Sequence, residues 1–149
     1  RGERRAVVMD LLGILQVSGS GLSAERTRIQ TVSSNIANAQ TTRTEDGGPY
    51  KRKVPVFTAV DVADPFGGML DAKLAQPMVT DIIEDDRPGS TIHDPTHPDA
   101  DENGLVEMPN VEVVSEMVDM ISASRAYEAN VTAISATKNM ALKALEIGK

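Results

Sequence analysis

The chain has 149 residues, with 22 acidic against 15 basic side chains, a net charge of −7, aromatics at only 3% and no cysteine. That length allows one ordinary domain, or a small domain with helical extensions, and so few aromatics argue against a large packed core. The acidic balance argues against nucleic acid as the main partner, and the lack of cysteine removes disulfides, thiol catalysis and Cys-based zinc sites.

At the start, Arg1, Arg4 and Arg5 followed by Ala6-Val7-Val8 and Leu11-Leu12-Gly13-Ile14-Leu15 faintly imitate a secretory signal. Asp10 splits the apolar run, however, and no small-x-small cleavage site clearly follows. Residues 1–8 therefore read as a basic upstream leader, with Met9 as the expected true start. The first helix is expected from Asp10 to about Ala39. Its sticky face runs Leu11, Leu15, Ser18, Leu22, Glu25, Ile29, Val32, Ile36, Ala39, in steps of four and three. That spacing is one face of a coiled-coil helix. Interior Gly13, Gly19 and Gly21 each cost up to about 1 kcal/mol against Ala, so this helix should be weak alone.

All eight prolines fall between Pro49 and Pro109, which marks the middle as non-helical. Tyr50 to Val60, Met69 to Leu74, Met78 to Ile83 and Leu105 to Met108 read as short strands, rich in Val and Ile and bounded by Pro, Gly and Asp. Pro55 should sit at an edge or bulge, because it cannot donate to a ladder. Asp85 to Gly104 is polar and turn-rich and is expected to be a loop.

The second helix is expected from about Val111 to Ile147, with Pro109-Asn110 as its start signal and Gly148 as its stop. Its seam runs Val113, Met117, Met120, Ser124, Tyr127, Val131, Ile134, Lys138, Ala141, Leu145, again in fours and threes. The fold class is then α+β: two long terminal helices forming a coiled-coil-like pair, with a small β-rich domain inserted between them. The expected division is residues 9–40 and 109–149 for the helical part and 41–108 for the β-rich part. Val111, Val114, Val118 and Ile121 lie off the seam, and such surplus apolar surface suggests contacts with other molecules. The competing reading is a plain antiparallel hairpin packed on the β part. No apolar stretch reaches the ~20 residues needed to span a bilayer.

Motifs for chemistry are weak. Gly19-Ser20-Gly21-Leu22-Ser23-Ala24 fits a dinucleotide pattern, but it lies inside the helical series with no strand before it. Asp99-Ala100-Asp101-Glu102-Asn103-Gly104 begins like a calcium loop, yet Asn110 stands where a bidentate Glu is needed, so a solvated acidic turn is expected. His93-Asp94-Pro95-Thr96-His97 could offer two imidazoles, but the chain has no third His to complete a metal site. Lys51-Arg52-Lys53 reads as a solvated basic face. No serine has recognisable His and acid partners. No catalytic residue, cofactor or metal is expected.

Two segments carry a resemblance. Ser34-Asn35-Ile36-Ala37-Asn38-Ala39-Gln40-Thr41-Thr42 resembles the N-terminal signature S-N-x-A-N-x-x-T of bacterial flagellar rod and hook axial proteins. Met108-Pro109-Asn110-Val111-Glu112-Val113-Val114-Ser115-Glu116-Met117-Val118-Asp119-Met120, continuing through Ser122 to Asn130, looks like the matching C-terminal signature. Gly48-Pro49-Tyr50-Lys51-Arg52-Lys53 and His97-Pro98-Asp99-Ala100-Asp101 add middle cues that favour the proximal-rod branch. The likeness spans Met9 to Lys149.

This resemblance implies a non-enzymatic structural subunit of the periplasmic drive shaft, exported through the flagellar type III apparatus without a cleaved signal. It also implies inner-tube helices at about Met9 to Ala39 and Val111 to Lys149 around which the middle forms an outer β domain. Implied partners are other rod proteins, adjacent copies, and the export gate and MS ring at the rod base. Nucleic acid and direct membrane insertion are not implied. The residues expected to make the assembly interface are Leu15, Leu22, Ile29, Val32, Ile36, Met117, Met120, Tyr127, Val131, Ile134, Ala141 and Leu145. Alternatives are a distal-rod or hook-type axial protein, or a periplasmic binding or cell-wall-processing module, which would need a pocket with converging polar groups.

Overall fold

The computed structural model describes residues 2–45, 47–61 and 75–147. In chain order these form α1 (Gly2–Ala37), β1 (Lys53–Asp61), β2 (Ala75–Glu84), β3 (Thr91–His93), β4 (Leu105–Glu107) and α2 (Val113–Ile147). The architecture is α+β, with two long terminal helices and two small two-stranded sheets between them, β1 with β2 and β3 with β4.

The first helix begins at Gly2, earlier than Met9, because Glu3 to Val8 holds no Gly or Pro to stop it. It ends at Ala37, where the motif closes the last turn. The Ser34 carbonyl accepts both the Asn38 N–H, at 3.1 Å, and the Asn38 side-chain amide, at 2.9 Å. Thr41 then donates its hydroxyl to Asn38 Oδ1, and its carbonyl accepts the Tyr50 N–H.

β1 and β2 run antiparallel. Asp85 N–H donates to the Arg52 carbonyl, while Thr58 and Thr80 pair through their hydroxyls, so one index falls as the other rises. Pro55 lies within β1, and in a two-stranded sheet each strand keeps a free edge that tolerates a missing donor. The strand expected at Met69 to Leu74 lies outside the described residues, as does the stop at Gly148. Asp85 to Gly104 is not all loop. Thr91 to His93 pairs antiparallel with β4 in the register Thr91↔Glu107, Ile92↔Val106, His93↔Leu105. Three residues are too few to show a periodic pattern, and this short strand is held by its partner, whose Val106 is buried at 2% exposure.

The second helix starts at Val113, two residues beyond the expected Val111, and Asn110 is not its cap. The Glu116 N–H closes the first turn onto the Glu112 carbonyl. Asn110 has other work. Its Oδ1 accepts the Arg52 N–H and its Nδ2 donates to the Asp85 carbonyl, both at 2.9 Å, so its amide closes the open end of the β1–β2 hairpin.

Just beyond β2, Asp85 is gripped by Arg87. The side-chain hydrogen bonds from the Arg87 guanidinium, and then the one from the Arg87 N–H, hold the carboxyl down at about 2. A carboxylate depressed below its unfolded value near 3.9 stabilises the fold fully above that value. The contribution is lost as pH falls from about 4 towards about 2. Arg87→Ala should therefore raise the Asp85 titration midpoint towards the ordinary range. Carboxyl-carbon NMR across that window reads it, and an unchanged Asp85 midpoint would contradict the assignment of cause.

Contacts gather the chain into two compact units. One comprises Arg1–Thr27, Phe57–Thr80 and Ala123–Lys149, the other Arg28–Val56 and Asp81–Ser122. In the second unit, Arg28 of α1 meets Asp119 of α2 at 2.9 Å, and Asn35 meets Glu116 at 2.9 Å. In the first, a methyl group placed on Gly21 would come within 3.0 Å of the Asn130 side chain. Within the second unit the two helices thus pair antiparallel, since one index falls as the other rises. In the first unit Gly21 permits the approach of Asn130, and any larger side chain there would push Asn130 away.

Candidate functional site

The interior of the helix pair is polar and small. On α1 the buried residues are Ser18, Gly21, Ala24, Thr31, Val32 and Asn35; on α2 they are Glu116, Ala123 and Thr137. Small side chains let backbones approach closely, and the polar ones find partners. The densest set of partners lies in the second unit, around Asn35.

Asn35 is fully buried and uses every hydrogen-bonding position of its amide. Its Nδ2 donates to the Lys53 carbonyl and to Glu116 Oε2, each at 2.9 Å. Its Oδ1 accepts the Lys53 N–H at 2.9 Å and the Tyr50 hydroxyl at 3.0 Å. The amide thereby pairs with both backbone groups of Lys53, much as a neighbouring strand would. Glu116, equally buried, accepts from Arg52 Nε through its other oxygen at 2.6 Å. Arg52 also approaches Asp119 at 3.8 Å, and Asp119 accepts from Arg28. The Lys53 ammonium lies 5.9 Å from the centre of the Tyr50 ring. This junction ties α1, the entry to β1 and the first turns of α2 together.

The sequence signatures land on it. Ser34, Asn35, Asn38 and Thr41 are the S-N-x-A-N-x-x-T residues; Tyr50, Arg52 and Lys53 come from the middle cue; Glu116 and Asp119 come from the C-terminal segment. Lys51-Arg52-Lys53 is therefore not simply a solvated basic face: Lys51 pairs with exposed Asp86, whereas Arg52 turns inward. Periodicity points to none of these polar residues, because an apolar stripe carries no mark of buried amides and carboxylates. The signal available was the motif itself.

The residues expected at the interface divide. Val32 lies inside the chain at 4% exposure, and Leu15, Leu22, Ile29, Ile36, Met120, Ile134 and Ala141 are half-buried. Tyr127, Val131, Met117 and Leu145 are exposed, the last two at 53% and 70%. With about 100° of turn per residue, the inward column Glu116, Ala123, Asn130, Thr137 stands one position from Met117, Ser124, Val131, Lys138. The second helix is thus rotated by about that angle from an arrangement that would bury its apolar seam. Val114 and Val118, at 70% and 61% exposure, lie on the far side with Ile121.

The chemistry motifs have structural employment. Gly19 to Ala24 lies within α1, so no strand-turn-helix phosphate cradle exists there. Asp101 Oδ1 accepts the Leu105 and Asn103 N–H groups, and those bonds, that from Leu105 foremost, hold its carboxyl below the usual range. Asp94 is likewise lowered, first by the Thr96 hydroxyl. His97 Nδ1 accepts the Asp99 N–H, while the Asp99 carboxylate accepts the Thr42 hydroxyl. Among the described residues no group of three His, Asp or Glu is arranged to hold a metal ion, and no helix is long and apolar enough to cross a membrane.

Comparison with known proteins agrees with the motif placement. Residues 102–147 match the family described as flagellar basal body rod FlgEFG protein C-terminal, and residues 15–43 match that described as flagella basal body rod protein. The chain is similar to the flagellar basal-body rod protein FlgC of Borreliella burgdorferi, 46% identical over 93% of this chain and 98% of the relative. Its similarity to the protein of that name from Bacillus subtilis is 43% identity over 91% and 96% of the two chains. For Salmonella typhimurium the figures are 41%, 95% and 100%.

Proposed function

Because the chain belongs to the family of the flagellar basal-body rod protein FlgC, we propose that it is a structural, non-catalytic subunit of the proximal rod, polymerising through its terminal helices into a tube that transmits motor torque across the periplasm. The observation that carries this reading is the outward apolar face of α2. An isolated hairpin would bury Met117, Val131 and Leu145 and leave Thr137 and Glu116 in water; this chain does the reverse. Apolar surface kept out of the fold is surface available to neighbours.

Head-to-tail contacts that do not close build a helical tube. In that tube residues 9–40 and 109–149 form the inner wall and 41–108 the outer part. The neighbours are copies of the chain and other rod proteins, with the export gate and MS ring at the base. The chain reaches them through the type III apparatus, without a cleaved signal, as an unfolded polypeptide. Glycines inside α1 ease that unfolding.

Purified basal bodies reconstructed from electron images test the proposal. The outward face of α2, with Met117, Val131 and Leu145, should lie against a neighbouring subunit within the wall. If that face meets solvent in the assembled rod, the assignment of the helices to the wall is wrong.

A further inference from the structure

The interior of the helix pair repeats itself. On α2 the inward column Glu116, Ala123, Asn130, Thr137 recurs every seven residues; on α1 so do Gly21, Arg28 and Asn35, with Ala24 and Thr31 in a parallel column. A slide of one helix by seven residues would again set the two columns face to face, with small or short polar groups at every position except Arg28 and Glu116. Knobs-into-holes packing does not penalise such a slide when the knobs are this small. Something else must choose between the registers.

We propose that Asn35, Glu116 and Arg52 form the registry device of this fold, a set of buried polar partners whose job is to fix the single alignment of α1 against α2. The geometry meets what such a device needs. Asn35 has no spare donor or acceptor, so it fits one arrangement only. Glu116 satisfies Asn35 with one oxygen and Arg52 with the other. A slide of seven residues in either direction takes the carboxylate away from Asn35, leaving a buried amide donor without its acceptor. Buried polar groups are costly compared with apolar packing of the same shape, and selection of one register is their best-attested use. Read with the proposed rod function, on which only this consequence rests, the register decides where along the subunit Val114, Val118 and Ile121 face a neighbour.

The test exploits the absence of cysteine from the full chain. Arg28→Cys with Asp119→Cys, joined by a thiol-reactive cross-linker about as long as the arginine side chain, reports the native register, since the Arg28 guanidinium reaches Asp119 at 2.9 Å. Arg28→Cys with Ala126→Cys, joined by the same cross-linker, reports a slide of one heptad with both positions inside the helices. In these backgrounds, Asn35→Leu with Glu116→Leu should keep the helical content by circular dichroism while raising the slipped-to-native cross-linking ratio by about tenfold or more. A folded variant that cross-links only in the native pair overturns the proposal.

A second arm decides the matter even if that variant does not fold. Asn35→Asp sets two carboxylates face to face and should favour the slipped reporter. Adding Glu116→Gln reverses the bond: the glutamine amide donates to the new carboxylate, and its carbonyl still accepts from Arg52. The double variant should regain native cross-linking over Asn35→Asp alone. A mere requirement for burial would make the double variant no better than the single, and that result also overturns the proposal.

Discussion

Glu116→Ala should be among the most destabilising single substitutions in this chain, costing about 3–5 kcal/mol. The loss has two parts. The Arg52 guanidinium keeps its charge, at 22% side-chain exposure, and its remaining ion-pair contact among the described residues, Asp119, stands at 3.8 Å. Asn35, with no exposure at all, keeps an Nδ2–H that now points at nothing. An orphaned buried donor costs about 1–3 kcal/mol, and a charged group stripped of its partner costs more. Arg28→Ala is the matched control. It breaks an ion pair whose two side chains are each about a third exposed, and water replaces the partner, so the cost should stay at about 1 kcal/mol or below. Against a total stability of about 5–15 kcal/mol, the first change moves a urea midpoint far and the second barely moves it. Equal midpoints for Glu116→Ala and Arg28→Ala would show that the junction is no stronger than a surface pair.

The contrast explains what could be read from sequence. The helices, three of the strand positions and the polar turn at Asp99 to Gly104 follow from local rules: proline clustering, β-branched runs and Asx turns are written in adjacent residues. The junction is not local. Asn35, Lys53 and Glu116 are far apart in the chain, and each taken alone looks like an ordinary polar residue on a helix or strand. The rotation of α2 was hidden for a related reason. Periodicity finds the apolar stripe correctly at Met117, Val131 and Leu145 but cannot say whether the stripe faces its own chain or another. In a monomeric domain the answer is almost always inward. Here the partner helix offers Gly21, Ala24 and Asn35, which suit Ala123 and Glu116 better than leucine or methionine. Apolar residues that lose this contest are left outside.

That division makes the second large effect a separation of folding from assembly. Met117→Asp and Leu145→Asp alter side chains that are 53% and 70% exposed, so each variant should fold with an unfolding free energy, read by urea titration, within about 0.5 kcal/mol of the parent. Neither residue takes part in the hydrogen bonds or ion pairs of the junction, and both side chains are exposed. In an assembled tube the same side chains are enclosed, and an unpaired carboxylate there costs several kcal/mol at each contact, repeated in every subunit. Cells in which either variant replaces the parent chain should export the protein and fail to swim. Glu102→Ala, in the exposed turn before β4, should leave both folding and swimming intact. The pairing of outcomes is what carries the argument: loss of swimming with an unfolded variant would implicate the core, whereas normal swimming with a folded one would mean that the apolar face of α2 is not what holds neighbouring subunits together.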